Sequence, residues 1–147
     1  EYDQELPFSD CDGLGLYVHI PFCRSICSFC PYCKTLYTEE ACSQYIDALI
    51  REIHLAESQA PGKKTVTSLY FGGGTPALAA DRIKEIIDAI QEHFIITQGI
   101  GIELHPENIT PRTLHILKEA GITKLPNLYA LKTEYKKLDA ERERLSA

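Results

Sequence analysis

Short apolar segments alternate with amphipathic helical patterns along this chain, and the alternation limits the folds open to it. Residues 14–20 and 65–71 are rich in β-branched and aromatic residues and end at proline or glycine, which predicts two buried strands. The pattern at residues 99–105 predicts a third strand, and the pattern at residues 122–125 predicts a short fourth strand. Before the third strand, apolar residues at helical spacing extend to Phe94 and predict a helix up to that residue. Strands that alternate with helices favour a parallel sheet with right-handed crossovers. We therefore expect an α/β fold with about four β/α units.

The helical segments carry start and stop signals at their ends. Thr38, which two glutamates follow, is expected to begin the first helix, and Asp81 to cap the second. The third helix has Thr110 as its N-cap, Pro111 in its first turn and Gly121 just past its end. A final segment combines leucines at helical spacing with a face dense in Lys, Glu and Arg, which predicts a helix with one solvated face.

The composition divides the chain into three segments. Residues 1–13 form an acidic lead-in, residues 14–125 hold the α/β core, and residues 126–147 form the charged amphipathic helix. A complete eight-unit barrel takes about 250 residues, so we expect these 147 residues to leave an open parallel edge at the fourth strand. Because the sequence has no Met and begins at Glu1, it is expected to be a piece of a longer protein.

The charge balance excludes some classes of partner. The chain has 15 Lys and Arg against 21 Asp and Glu, a formal net charge of −6, and it lacks the basic footprint of a nucleic-acid-binding protein. No apolar stretch is long enough to span a bilayer, and the N-terminus lacks the segments of an export signal. We expect no nucleic-acid partner, no membrane association and a cytoplasmic location.

Four of the six cysteines fall within the eleven residues 23–33. Bridges between such close neighbours would strain short loops, so the cluster favours metal binding or redox chemistry over a disulfide framework. Cys11 and Cys42 lie outside the cluster, and we interpret both as structural residues that behave as small hydrophobes.

Within the cluster, Cys23, Cys27 and Cys30 form a C-x3-C-x2-C triplet directly after the first strand. Three thiolates can hold three irons of a [4Fe-4S] cluster and leave the fourth iron open for chemistry. Zinc usually takes four ligands from two separated pairs, which this loop does not offer. Cys33 leaves a second reading open, because a fourth thiolate would make the cluster a fully ligated electron carrier.

Three consecutive glycines, Gly72 to Gly74, follow the second strand and precede Thr75 and Pro76. Glycine lets the backbone adopt positive φ and approach a charged ligand closely, where a side chain would block it. The run therefore predicts a ligand-binding loop at the carboxyl end of the sheet, with a tight structural turn as the alternative.

Two motifs, in this order and at this separation, resemble the radical S-adenosylmethionine (SAM) superfamily. The resemblance is to the branch of oxygen-independent coproporphyrinogen III oxidase and its heme-chaperone and methyltransferase relatives. The motifs are the cysteine loop of residues 16–30, LYVHIPFCRSICSFC, and the glycine run of residues 69–76, LYFGGGTP. The resemblance extends from about residue 14 to residue 125. It implies a partial (β/α)6 barrel whose cluster cleaves SAM to methionine and a 5′-deoxyadenosyl radical, which abstracts a substrate hydrogen.

The resemblance also implies a set of cofactor-binding residues. By its pattern, Gly73, Gly74 and Thr75 would contact the methionine moiety of SAM, and Glu103 matches a strand-borne acid that contacts SAM. Two aromatic residues would lie near the cluster or the adenine: Tyr17 and Phe29. We assign no role to the five histidines and no hydrolytic role to Glu103 with Glu107.

The sequence departs from the family pattern in two places. The third cysteine is followed by Pro31-Tyr32-Cys33-Lys34, where the family often has Gly-Cys or Asp-Phe. After Leu125 the family continues with a Ser-x-Gly-x-Gln-Ser segment, whose Gln helps to bind SAM, and with a domain for the substrate. This chain has Pro126 and a charged helix instead, so the first departure weakens the transfer of a porphyrinogen substrate and the second leaves SAM contacts missing.

The functional hypothesis is a radical SAM oxidoreductase resembling coproporphyrinogen oxidase of porphyrin and heme biosynthesis. Its partners would be SAM, a tetrapyrrole or other small-molecule substrate, and an electron donor such as a flavodoxin or ferredoxin. Two alternatives remain open: a non-catalytic heme chaperone, and an iron-sulfur electron carrier.

Overall fold

The computed structural model describes residues 11–25, 34–59, 62–126 and 128–146. Two single turns of 3-10 helix cover Pro76–Ala79 and Pro106–Asn108. The strands are β1 (Gly13–Ile20), β2 (Phe22–Cys23), β3 (Thr35–Leu36), β4 (Lys64–Gly73), β5 (Phe94–Ile96) and β6 (Ile100–Ile102). The helices are α1 (Glu39–Gln59), α2 (Ala80–His93), α3 (Pro111–Ala120) and α4 (Leu128–Ser146).

The main sheet is parallel, as the alternation of elements predicts. Strand β1 pairs with β4 along its whole length, and the other edge of β4 pairs first with β5 and then with β6. Strands β2 and β3 form a separate parallel pair. The α/β fold class is therefore confirmed.

The third and fourth predicted strands are shorter in the structure than in the sequence pattern. The third covers only Ile100–Ile102, and the fourth is a single parallel bridge between Gly101 and Lys124. The expected helical stripe to Phe94 is wrong at its end, because α2 stops at His93 and Phe94 begins β5. Apolar spacing could not mark this boundary, since Phe94 lies at a helical interval from the buried isoleucines of α2 and is itself buried as a strand residue.

The core lies between one face of the main sheet and the helices α1, α2 and α3. Alternate residues of each strand point to this face, as the period of two in a strand requires. The largest fully buried side chains come from both layers and include Ile20, Ile46, Leu69, Phe71, Ile83, Ile86, Ile90, Ile102 and Leu117. The opposite face of the sheet carries Tyr17 and Tyr70, which are 61% and 41% exposed, so the described residues leave this face open.

The predicted helix ends are mostly confirmed. Thr38 Oγ1 accepts a hydrogen bond from the Ala41 N–H, and Thr110 Oγ1 accepts one from the Thr113 N–H. Gly121 follows α3 with φ of 111°, the left-handed conformation that favours glycine. Asp81 does not cap α2, because the 3-10 turn runs directly into the helix and Asp81 lies in its first turn, where its charge still suits the helix dipole.

The C-terminal helix α4 contacts the body of the protein at the 3-10 turn of residues 106–108. Its leucines Leu138 and Leu145 are 61% and 75% exposed, so they do not pack into the core as an amphipathic face would. None of the helices in the described ranges combines the length and the apolar character needed to cross a bilayer. Cys42 is buried as expected, whereas Cys11 is exposed and does not behave as a core hydrophobe.

Candidate functional site

The carboxyl ends of the central strands meet at one edge of the sheet. The glycine loop, residues 72–75, lies at this edge. The Gly74 N–H donates to the Ile20 carbonyl at 2.9 Å, and the Thr75 N–H donates to the Phe22 carbonyl at 2.7 Å. Parallel α/β proteins form their sites at this edge, where loops leave the strands. The glycine loop therefore lies directly against the start of the cysteine segment, by which we mean residues 22–36 from β2 to β3.

Cys23 is the described member of the cysteine triplet, and it is buried at this edge. Its side chain is 6% exposed, and the Thr75 hydroxyl donates to the Cys23 sulfur at 3.9 Å. The pairing of β2 with β3 places Cys23 beside Leu36, so the two ends of the cysteine segment are joined by backbone hydrogen bonds. Cys27, Phe29, Cys30 and Cys33 lie outside the described residues.

The glycines are required by close contacts within the chain. Gly73 has φ of 120°, and a Cβ at this position would lie 2.6 Å from the Ile20 carbonyl oxygen. A Cβ on Gly74 would lie 2.5 Å from the Phe22 carbonyl oxygen and 2.7 Å from the Cys23 sulfur. A side chain at either position would thus force the glycine loop away from the cysteine segment.

Glu103 follows β6 and reaches back to the same loop. Its Oε2 atom accepts a hydrogen bond from the Gly73 N–H at 3.2 Å, and its own N–H donates to the Phe71 carbonyl at 2.9 Å. Glu103 is exposed, so its carboxylate also faces solvent on the open side of the sheet. The structure therefore brings Glu103 and Gly73 into direct contact.

Tyr17 lies on the open face of the sheet, with its hydroxyl group beside Gly72. Its ring stacks on Tyr70, with the ring centroids 6.5 Å apart and the planes 17° from parallel. A Cβ on Gly72 would lie 2.7 Å from the Tyr17 hydroxyl oxygen, and His19 Nδ1 is 3.4 Å from the same oxygen. Burial raises the pKa of Tyr70, and the negative charge of Glu103 raises it further.

The sequence reasoning missed Tyr70 as a neighbour of the site. Residues 70 and 72 are two apart in one strand, so they share a face of the sheet. Because the glycine run marks this end of β4 as functional, the same alternation could have placed Tyr70 beside it.

A cavity of about 80 Å³ opens beside Cys23 and the glycine loop. Its remaining walls include Arg24 and Lys34, from the two ends of the cysteine segment, and His105 after β6. The carboxylate of Glu107 lines the same cavity as these two cationic side chains, so charged groups of both signs surround the Cys23 sulfur. Arg24 and Lys34 also escaped the sequence reasoning, because nothing in their spacing marks them.

A family model described as the radical SAM superfamily matches residues 17–139. The chain belongs to the radical SAM superfamily. The matched range includes all three triplet cysteines, the glycine loop and Glu103. A radical SAM protein is defined by a [4Fe-4S] cluster and SAM, so membership implies both cofactors.

Individual relatives of this radical SAM chain point to one branch. Anaerobilin synthase of Escherichia coli O157:H7 is 44% identical over 79 residues, 52% of this chain and 18% of the relative. Oxygen-independent coproporphyrinogen III oxidase of Pseudomonas aeruginosa is 32% identical over 118 residues, 76% of this chain and 26% of the relative. Heme chaperone HemW of Bacillus subtilis is 32% identical over 115 residues, 74% of this chain and 30% of the relative.

A solved structure agrees with the sequence relatives. Coproporphyrinogen III oxidase (HemN) from Escherichia coli, a radical SAM enzyme, matches with a TM-score of 0.68 and 33% identity over 77% of this chain and 26% of that chain. The match confirms the resemblance to the coproporphyrinogen oxidase branch. In all four comparisons the chain spans less than a third of the relative's length.

The described residues fit the cofactors that the superfamily implies. Cys23 provides a buried sulfur at the strand edge, beside the cavity that Gly74 and Thr75 also line. Arg24 and Lys34 line the cavity together with Glu107, and the two cations outnumber the one carboxylate, which suits an iron-sulfur cluster held by thiolates.

Proposed function

We propose that this chain is the cluster- and SAM-binding portion of a radical SAM oxidoreductase of the coproporphyrinogen oxidase type. The cluster ligands are Cys23, Cys27 and Cys30, and the fourth iron is left to SAM. The observation that carries the proposal is the contact of the Cys23 sulfur with Gly74 and Thr75, because it joins the two specific motifs of the sequence at one edge of the sheet.

Each side chain at this edge has a proposed task. Gly74 and Thr75 line the cavity beside Cys23, and together with Gly73 they would contact the methionine moiety of SAM. Glu103, which already accepts the Gly73 N–H, holds the loop in place and offers a carboxylate to the amino group of SAM. When bound and reduced, the cluster supplies the electron that cleaves SAM.

The aromatic residues are proposed to close the site. Tyr17 lies over Gly72 on the open face and, with Tyr70, forms an apolar wall beside the SAM position. Phe29, two residues after Cys27 in the sequence, is proposed to pack against the cluster or the adenine. These rings would exclude water from the space where a radical forms.

The substrate is proposed to be a tetrapyrrole or another small molecule, because the names of the relatives include a coproporphyrinogen oxidase and a heme chaperone. The electron donor is proposed to be a flavodoxin or ferredoxin, and the location cytoplasmic. The chain is proposed to divide into a lead-in of residues 1–13, a radical SAM core of residues 14–125 and a charged helix of residues 126–147.

The first test is anaerobic reconstitution with iron and sulfide, followed by EPR of the reduced protein with and without SAM. We expect a [4Fe-4S]⁺ signal that shifts when SAM is added, because SAM binds the open iron. A signal that SAM leaves unchanged, in a chain that binds iron, would contradict the proposed SAM site. A chain that binds no iron would contradict the proposal as a whole.

Serine variants separate the enzyme from the electron carrier. We expect Cys23→Ser, Cys27→Ser and Cys30→Ser to lose the cluster, and Cys33→Ser to retain it together with the SAM-dependent shift. Cys42→Ser is the matched control, because Cys42 is buried against helix residues of the core. Loss of the cluster in Cys33→Ser, as in the other three variants, would favour a fully ligated electron-transfer cluster instead.

A heme chaperone is the second candidate, since HemW of Bacillus subtilis aligns with 74% of this chain. The two functions differ in what the reduced protein does with SAM. A reductive assay that detects 5′-deoxyadenosine supports the enzyme, whereas heme binding without SAM cleavage supports the chaperone.

A further inference from the structure

Two histidines and a glutamate converge between α1 and α2, away from the cysteine loop. His54 Nδ1, in the C-terminal half of α1, lies 2.6 Å from His93 Nε2, at the end of α2. Glu92 Oε2 lies 3.9 Å from His54 Nδ1 and 4.0 Å from His93 Nε2. We propose that these three side chains form a binding site for a divalent transition metal, with zinc as the best match.

The two ring nitrogens face each other, so a small separation would let one metal ion lie between them. The two imidazole planes are 88° apart, with centroids separated by 4.9 Å, so both nitrogens point into one space. At a zinc-nitrogen bond length of about 2.0 Å, two tetrahedral ligands lie roughly 3.3 Å apart. The pair would therefore open slightly and Glu92 would move inward, which the exposure of His54 and Glu92 permits, at 43% and 65% of their side chains.

Glu57 completes the arrangement from the other side of His93. Its Oε2 atom lies 3.8 Å from His93 Nδ1, the ring nitrogen that faces away from His54. This is an ion-pair distance and longer than a hydrogen bond, and a carboxylate beside Nδ1 favours the tautomer that leaves the Nε2 lone pair for a metal, as outer-shell carboxylates do in metal sites.

The surroundings also favour a cation. His93 is in the last turn of α2, where the unpaired carbonyl groups carry the negative end of the helix dipole. Glu57 and Glu92 add two carboxylates beside two imidazoles, and imidazole with carboxylate is a donor set that suits zinc.

This site is remote from the proposed cluster. Phe94, next to His93, pairs with Lys64 at the start of β4, whereas Gly73 is at the end of the same strand. The 10 residues of β4 separate the two ends by about 30 Å. A metal bound here would tie α1 to α2 at the amino end of the sheet, with a water molecule as its fourth ligand.

The test is a zinc titration of the full chain with three glutamine variants. We expect His54→Gln and His93→Gln each to bind one zinc ion fewer than the wild type. His115→Gln, an exposed histidine on α3, is the matched control and should bind the wild-type number. Zinc held by the cysteine loop is common to all four proteins, so the difference in stoichiometry isolates the histidine site.

Cobalt gives a second measurement that identifies the ligands. In the wild type, Co²⁺ at a nitrogen and oxygen site adds visible d-d absorption without the ultraviolet charge-transfer bands of thiolates. His54→Gln should lose the d-d absorption of the histidine site and keep the thiolate charge-transfer bands of Co²⁺ at the cysteine loop. Without metal, the circular dichroism of His54→Gln should match the wild type, because His54 is half exposed. Equal zinc stoichiometry in all four proteins, or a Co²⁺ spectrum unchanged in His54→Gln, would overturn the proposal.

Discussion

The sulfur of Cys23 lies so close to the backbone of Gly74 that a methyl group on Gly74 would come within 2.7 Å of it. The same methyl group would lie 2.5 Å from the carbonyl oxygen of Phe22. Both atoms belong to buried residues at the start of the cysteine segment, and the Phe22 carbonyl is backbone that cannot move without shifting that segment. The glycine run is therefore a packing requirement of the proposed cluster site, in addition to any room that it leaves for a ligand.

Gly74→Ala is expected to destabilise the protein and to lower its iron content after reconstitution. Overpacking of a close contact typically costs about 1–3 kcal/mol, and here the added atom meets backbone that cannot rotate away. The measurements are urea unfolding of the metal-free chain and iron analysis of the reconstituted chain. Gly15→Ala is the control, because a Cβ on Gly15 would meet nothing within 4 Å. Equal stability and iron content in the two variants would contradict the argument.

Helices α1 and α2 are joined by the ion pairs of Arg82. Its guanidinium donates to Asp47 at 2.8 Å, across the helix interface, and to Glu85 at 2.8 Å on its own helix. The hydrogen bond from Arg82 holds the pKa of Glu85 below its usual value of 4.5. We expect Arg82→Gln to cost about 0.5–1 kcal/mol at pH 7, a modest value because both carboxylates are half exposed.

The free energy of unfolding that Arg82→Gln loses should depend on pH, because folding lowers the pKa of Glu85. The contribution of Glu85 is fully present above pH 4.5 and disappears as the pH falls through the lower, folded value. Urea unfolding at several pH values should show the difference between wild type and Arg82→Gln shrinking below pH 4.5. Lys84→Gln is the control, since Lys84 pairs with Asp88 on its own helix, at 2.8 Å. A difference that persists undiminished in acid would rule out the charge-pair explanation.

The fold was largely predictable because its signals are local. The cap of Thr110, the proline after it and the left-handed Gly121 each act within one helical turn, and the structure has all three as predicted. Strand β5 was not predictable in this way. Its identity depends on the pairing of Phe94 with Lys64, 30 residues earlier, which hydrophobic spacing cannot encode.

The candidate site was predictable only where one short motif contains it. The cysteine and glycine motifs each occupy a few consecutive residues, so their chemistry can be read directly from the sequence. Arg24 and Lys34 join the cavity because β2 pairs with β3, and His54 meets His93 only when α1 packs on α2. Contacts of this kind depend on the completed fold, and no local spacing marks them.

The two outlying cysteines are expected to react at very different rates with iodoacetamide. Cys11 is exposed, whereas Cys42 is buried in the core, and burial raises the pKa of the Cys42 thiol and keeps it in the unreactive protonated form. Peptide mapping by mass spectrometry at pH 8 should find Cys11 modified and Cys42 protected in the folded protein. In urea both should be modified, which controls for the intrinsic reactivity of the peptides. Equal modification in the folded protein would contradict the burial of Cys42.

Tyr135 attaches the C-terminal helix to the loop beside the proposed cluster site. Its hydroxyl donates to Glu107 Oε1 at 3.2 Å, and its ring meets His105 edge-on with centroids 5.3 Å apart. Tyr135→Ala should therefore speed hydrogen exchange in both α4 and the turn of residues 106–108, because both contacts are lost. Tyr135→Phe keeps the ring contact and should give a smaller change, while Leu138→Ala, at an exposed position of the same helix, controls for loss of a side chain alone. If Leu138→Ala loosened the turn as much as Tyr135→Ala, general fraying of α4 and not the Tyr135 contact would explain the exchange.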